Sequence, residues 1–378
     1  MKKTLCLLLS LVLVLGLFAG CGAKEETAAP EEEAAPGVEA APEEEAPAEE
    51  AGKTPELWAN LAYGPVEGKT EDDYSIAGVF GAVNPFSDPF LGAANQAAAE
   101  LGIMETEFNA PQGWVQNDQN VILDSLVSSG IQGIYMMPSD PVAGNEQITK
   151  MVDAGVNVIC VGGPPKTPSK ATMTLATDVY TAAYDGTINL IEAMGGKGGV
   201  VGLNGAVTDP NTQARMEAIE AACAEYPDVV LVQQIGDIDD SELSVSAIEN
   251  ILAAKGEEIN GFIATAYYPS VALATILDNE KYENIHSIGC DTDEVVLDAI
   301  SRGVMDGTMS QNPWGQAYLA TISLKMMKDG WTYNGDFMVD SGSFYINADN
   351  CDKVEEIQMT QTMAMCETWL DNWTAPAN

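Results

Sequence analysis

From Tyr74 onward the hydrophobic positions fall into two alternating patterns. Short apolar runs at residues 75–80, 131–136 and 156–161 predict buried strands. Between them lie stretches with helical spacing. One helix is predicted over 93–101, ending at Gly102. Another runs over 119–129, with Val121, Ile122, Leu126 and Val127 at helical spacing and a stop at Gly130; a third runs over 145–154 and closes at Gly155. The alternation then recurs. Helices are predicted over 182–194, 213–225, 242–254, 271–278, 294–301 and 317–329, and strands over 199–203, 229–234, 261–265, 285–289 and 306–311. Strands that alternate with helices make a parallel sheet covered on both faces. The fold class expected is therefore α/β, with two doubly wound parallel-sheet lobes of similar build.

In open parallel sheets ligands bind beyond the carboxyl ends of the strands. The residues that follow the predicted strands are therefore the ones to examine for function. They are Asn84-Pro85-Phe86, Pro138-Ser139-Asp140, Gly162-Gly163, Thr208-Asp209, Asp237, Tyr267-Tyr268, Asp291 and Gln311-Asn312-Pro313-Trp314. Two such lobes set face to face would share one cleft there.

The chain before Tyr74 follows other rules. Met1-Lys2-Lys3 is basic, residues 5–18 are almost wholly apolar, and Ala19-Gly20-Cys21 follows, which is the layout of an export signal. The apolar run is short for a membrane span. Phe18-Ala19-Gly20-Cys21 resembles the bacterial lipobox, with Phe18 where Leu is commoner. That resemblance implies a lipid on Cys21, a mature chain that begins there, and residence at the extracytoplasmic face of the cell membrane. Residues 22–55 are dominated by Glu, Ala and Pro, with runs such as Glu31-Glu32-Glu33 and Glu43-Glu44-Glu45. Like charges with little to bury predict a disordered, acidic tether.

Composition narrows the function. With 378 residues and 46% hydrophobic positions, the chain has enough for two compact domains. A formal charge of −41 argues against nucleic acid and against docking on anionic lipid. His286 is the sole histidine, which nearly removes Ser-His-Asp and Cys-His catalysis and the HExxH metal motif. No cofactor or metal is expected. Cys160 and Cys290 end apolar runs and read as small core residues. Cys351 and Cys366 are a possible pair that spacing alone does not decide.

The ordered landmarks over residues 74–347 resemble the ribose-binding branch of the type I periplasmic binding proteins, the solute receptors of ABC transporters. Asn84-Pro85-Phe86 opens a helix, and Pro138-Ser139-Asp140 follows the third strand. Arg215 stands near a helix start with Ala218-Ile219 behind it. Asp291 follows Ile288-Gly289-Cys290, and Gln311-Asn312-Pro313 follows residues 307–310. The resemblance implies an N-terminal lobe of 74–177 plus 312–340, a C-terminal lobe of 178–311 plus 341–350, and a C-terminal extension of 351–378. Hinge crossovers are expected near Thr177-Asp178, Gln311 and Asp340-Ser341. It implies that Asn84 and Phe86 are cleft residues of the first lobe, that Arg215 and Asp291 bind ligand hydroxyls from the second, and that Gln311 sits by the hinge. Asp140 joins the ligand-binding candidates, as do Phe86, Trp114 and Trp314, whose aromatic faces suit the C–H face of a sugar ring. A carboxylate accepts from two hydroxyls and a guanidinium donates to oxygens, so the chemistry agrees.

Three positions depart from the family pattern. Gly162-Gly163 replaces an Asp-Arg pair, Ile238 replaces an aromatic residue, and Tyr268 replaces an asparagine. Losing the charged pair implies more room and weaker polar contact from the first lobe, so ribose itself is not implied. The function expected is capture of a small polar ligand such as a sugar by a monomer, for delivery to an ABC transporter permease, with no catalytic residues. Two alternatives stand beside it. One is a ligand-presenting sensor for a chemoreceptor or kinase. The other is a secreted glycosidase that draws on Asp237, Asp239 and Asp240. Against the sites stand plainer roles: Asp291 as cap of the helix at Glu294, Arg215 in a surface ion pair, and Trp369 and Trp373 packing a final helix. Gly195-Gly196 reads as a helix stop and not as a phosphate loop.

Overall fold

The structure, a computed structural model, describes residues 74–377; the export segment, Cys21 and the 22–55 tether lie outside them. Lobe 1 is a six-stranded sheet of β1 (Ile76–Val79), β2 (Glu107–Asn109), β3 (Gly133–Met136), β4 (Asn157–Val161), β5 (Thr174–Ala176) and β12 (Met338–Asp340). Its order is β12-β5-β4-β3-β1-β2 and every neighbour is parallel. Lobe 2 repeats the plan with β6 (Gly198–Leu203), β7 (Val229–Ile235), β8 (Gly261–Ala264), β9 (His286–Cys290), β10 (Gly307–Ser310) and β13 (Phe344–Ile346). The order there is β13-β10-β9-β8-β6-β7, with β13 antiparallel to β10. A separate short pair, β11 (Thr332–Tyr333) and β14 (Trp373–Thr374), closes the chain's end.

The core follows from strand geometry, because successive side chains point to opposite faces. On one face of lobe 1, Ile76, Tyr135, Ile159 and Val161 pack with residues of α1 (Asp88–Leu101) and α9 (Pro313–Lys328). On the other, Ala77, Val79, Ile134, Met136 and Val158 meet α2 (Gln116–Ser129) and α3 (Pro141–Asp153). Lobe 2 does the same. Val200, Ile263 and Ile288 face α4 (Val179–Ala193) and α5 (Pro210–Ala224), while Val201, Leu203 and Phe262 face α6 (Ser241–Lys255) and α7 (Tyr267–Ile276). With both faces covered, the central strands β1, β3 and β8 carry no charged or strongly polar residue. The backbones also come close: a Cβ on Gly78 would stand 2.4 Å from the Tyr135 ring, so only glycine fits there.

Strand positions match the pattern reading within two residues, but helices start earlier than their apolar spacing suggests. α1 begins at Asp88 and not at 93, α3 at Pro141 and not at 145, and α9 at Pro313 and not at 317. The first turns of α3 and α9 are set by side-chain caps, while that of α1 carries Pro89 and no side-chain cap bond. Asp140 accepts from the Val142 and Ala143 amides at 2.9 and 2.7 Å, and Asn312 accepts from the Gly315 amide at 3.0 Å; Pro follows in each case. The last helices are α8 (Glu294–Ser301) and α10 (Val354–Thr368). The cap of α8 is Asp293, whose carboxylate accepts from the Val295 amide at 2.8 Å, so Asp291 is left for another role.

Three segments join the lobes and lie against one another. Ser341 N donates to Ala176 O at 2.9 Å, Asp178 N donates to Asp340 Oδ1 at 3.0 Å, and Asn312 Nδ2 donates to Ser341 O at 3.3 Å. Helix α10 braces this hinge through Gln358 Nε2, 2.7 Å from Gln311 O, and Thr362 Oγ1, 3.0 Å from Asn312 Nδ2. Trp369 and Trp373 are buried in the lobe 1 core beyond it. All five cysteines among the described residues are free, so Cys351 and Cys366 do not pair. No helix among the described residues is long and apolar enough to cross a membrane.

Candidate ligand-binding site

A cavity of about 630 Å³ lies beyond the carboxyl ends of both sheets, and both lobes line it. From lobe 1 come Asn84, Phe86, Trp114, Asp140, Gly162 and Gly163. Lobe 2 and the hinge contribute Arg215, Asp291 and Gln311. Three other candidates stand elsewhere. Ile238 is buried in the lobe 2 core, because its strand-end position turns inward beneath α6. Trp314 stacks on Tyr318 (4.8 Å, 15°) against the lobe 1 core, because the first turn of α9 carries it away from the cleft. Tyr268 lies behind Tyr267, edge-on at 5.2 Å, and Tyr267 is the one that lines the cavity.

Lobe 1 presents an aromatic wall. Phe80 meets Phe86 at 6.0 Å and Trp114 edge-on at 5.8 Å, arrangements favoured by ring quadrupoles. Trp114 occupies its place because residue 81 is glycine; a Cβ there would fall 2.1 Å from the indole. A buried glutamine fixes the loops behind this wall. Gln119 Nε2 donates to Phe80 O (2.9 Å) and Met137 O (2.7 Å), while its Oε1 accepts from Ser139 N (3.1 Å). Sequence reading passed over Gln119, which differs from a surface glutamine only in its burial. Asn84 Oδ1 accepts from the Phe86 amide at 2.9 Å and so holds that ring's backbone. The space vacated at Gly162 and Gly163 is not simply open. Cβ atoms there would meet Met137 Sδ at 3.1 Å and Met137 Cε at 3.0 Å.

Lobe 2 presents charge. Asp291 follows β9 with φ 66°, a left-handed conformation that Asp tolerates better than most residues. Its Oδ1 accepts from Gln311 Nε2 at 2.8 Å, and its backbone oxygen accepts from Thr308 Oγ1 at 2.8 Å. Burial raises its carboxyl above the usual range, while the Gln311 bond and the nearby Arg215 charge pull it down. Asp239 also lines the cavity, with Oδ1 buried and without a hydrogen-bond partner. Burial raises its carboxyl, Arg215 opposes this, and Asp291, Asp209 and Asp240 add to it. Asp209 caps α5 by accepting from Asn211 N at 3.0 Å; its carboxyl is raised by burial and lowered by Arg215. Arg215 forms no hydrogen bond or close ion pair among the described residues, so its donors remain available.

The Asp237-Asp239-Asp240 group thus divides. Asp237 accepts from Val207 N at 2.9 Å, Asp240 caps α6, and Asp239 alone faces the cavity. The lobes also touch directly: Asn211 Nδ2 of lobe 2 donates to Gly162 O of lobe 1 at 3.2 Å. Gly162 N in turn lies 3.0 Å from Gln316 Oε1, and Gln316 Nε2 donates to the hinge residue Ser341 at 2.9 Å. No cluster of metal-ligating side chains occurs among the described residues.

Comparison with known proteins shows the family and the fold. The family model for the periplasmic binding protein domain matches residues 79–331. A xylitol-binding protein of Mycolicibacterium smegmatis is 25% identical over 215 residues, spanning 57% of this chain and 61% of that protein's length. A D-apiose import binding protein of Actinobacillus succinogenes is 27% identical over 254 residues, spanning 66% and 80% respectively. Among solved structures, an ABC transporter solute-binding protein from Burkholderia graminis in complex with D-arabinose superimposes with a TM-score of 0.70 at 22% identity, covering 75% of this chain and 99% of its own.

Proposed function

The chain belongs to the periplasmic binding protein family, and we propose that it is the sugar-binding receptor of an ABC transporter. The observation that carries this is the cavity itself. It is shared by two lobes, with hydroxyl-binding groups Arg215, Asp239 and Asp291 on one wall and the rings of Phe86 and Trp114 on the other. Arg215 donates to ligand oxygens, the carboxylates accept from hydroxyls, and the aromatic faces cover C–H surface. Relatives that bind xylitol and D-apiose support a ligand of this size and polarity. The protein is a binding protein and not an enzyme: its relatives are named for what they bind, and Asp237 and Asp240 are engaged as turn and cap.

Ligand that touches both walls shifts the population toward the closed arrangement, pivoting at the three hinge segments, and the closed form is delivered to the permease. The cavity is complete within one chain, which supports action as a monomer. The basic start, the apolar run and Cys21 support lipid anchoring outside the cytoplasm, with residues 22–55 as tether. Loss of membrane association in a Cys21→Ser variant checks the anchor. A thermal-shift screen of sugars and polyols tests the binding function, since a ligand of the native state stabilises by mass action. At a hundred times Kd the stabilisation is about 2.7 kcal/mol. A panel that leaves the melting temperature unmoved would contradict the proposal.

A further inference from the structure

Every charged side chain on the cavity wall but one is acidic. Five carboxylates (Asp140, Glu146, Asp209, Asp239 and Asp291) face one guanidinium, Arg215, a formal −4. Asp140 and Glu146 are exposed on lobe 1, and Asp140 is engaged in capping α3. The other three gather around Arg215 on lobe 2. When the lobes close, these groups lose water, and one guanidinium cannot compensate three carboxylates. Each carboxyl is displaced upward by burial in spite of Arg215, as expected where positive charge is short. Asp239 keeps a buried acceptor oxygen with no partner in the protein. The facing wall of Phe80, Phe86 and Trp114 adds a second, independent preference, because aromatic faces attract cations.

Resting on the sugar-receptor reading above, we propose that the ligand is a cationic polyol, an amino sugar or aminocyclitol, whose ammonium is seated by Asp239 and Asp291 opposite the aromatic wall. Its hydroxyls and ring oxygen take the donors of Arg215. An ammonium supplies what a neutral sugar lacks: a charge that stays with the carboxylates as water leaves, and up to three donors for their free lone pairs. The same wall disfavours sugar acids and sugar phosphates, which would add negative charge to it.

Titration calorimetry on the purified chain tests this with matched triples: amino sugar, parent sugar and uronic acid in the gluco, galacto and manno series, with an aminocyclitol and its parent inositol. The expected result is that the tightest ligand carries the amine, binds at least about tenfold tighter than its neutral parent, and has no uronic counterpart that binds. Asp239→Asn, which keeps the side chain's shape, should bring the amine-to-parent ratio toward one by weakening the amine far more than the parent, and a cooperative thermal transition like the wild type's shows that the variant is folded. A tightest ligand that is neutral, with its amine equal or weaker, overturns the proposal and leaves the sugar-receptor reading standing. Binding of a uronic acid also overturns it. No heat from any member of the panel removes both.

Discussion

The two lobes use one strand order, and β4 of lobe 1 holds the place that β9 holds in lobe 2. The residue after each of these strands adopts nearly the same left-handed backbone, φ 70° at Gly162 and φ 66° at Asp291. In lobe 1 that position is glycine, as the conformation prefers, and its carbonyl takes the Asn211 contact across the cleft. In lobe 2 it is an aspartate, held there at a conformational cost of about 1–2 kcal/mol. The same backbone feature therefore carries an interlobe contact on one side and a cavity-lining carboxylate on the other. Asp237 shares this left-handed backbone at φ 58° but its carboxylate is engaged by Val207 N, whereas that of Asp291 lines the cavity.

Replacing the lobe 2 residue by its lobe 1 counterpart breaks the contrast and has the largest expected effect. Asp291→Gly should lower ligand affinity by at least about a hundredfold, as for a desolvated charge partner. It should leave the apo melting temperature unchanged or raised, since strain and a buried carboxyl are both relieved. Arg215→Ala should weaken binding to a similar degree. Calorimetry and thermal denaturation of the two variants check this pair, and full affinity in both would remove lobe 2 from the site. A smaller effect is expected on the aromatic side. Trp114 is 40% exposed, so Trp114→Ala should cost about tenfold in affinity, with little change in salt dependence.

The smallest effect concerns pH. Asp239 faces Arg215, which favours its charged form, and Asp291, Asp209 and Asp240, which oppose it, with burial the leading influence. Its carboxyl is thus raised in the folded state, so the apo fold binds this proton more tightly than the unfolded chain. The associated stability is complete below the ordinary carboxyl value of about 4 and is lost as pH rises through the raised one. Asp239→Asn cannot ionise. Its melting temperature should equal the wild type's in acid and exceed it by a margin that grows from about pH 4 up to the raised value and then levels off. A constant difference would show that Asp239 does not titrate as described.

Much of this architecture was legible because strands and helices here obey simple periodicity. What escaped had physical reasons. β2 is the three-residue edge strand Glu107-Phe108-Asn109, half-polar and partly exposed, and β5, β12 and β13 are equally short. First turns such as that of α3 have caps and proline in place of an apolar stripe. In the site, Asn84, Phe86, Asp291 and Gln311 follow from their place after strands. Side-chain direction does not follow. Trp314 and Tyr268 stand one helical step from the cavity and point elsewhere, and nothing in Asp237-Ile238-Asp239-Asp240 marks the middle carboxylate as the one that turns inward.

A crystal structure of the protein with its tightest ligand tests the contrast between the lobes most directly. The account predicts ligand polar atoms within hydrogen-bond reach of Arg215, Asp239 and Asp291, and an apolar ligand face against Phe86 and Trp114. A ligand whose polar atoms bind lobe 1, with the three lobe 2 groups left to water, would contradict it.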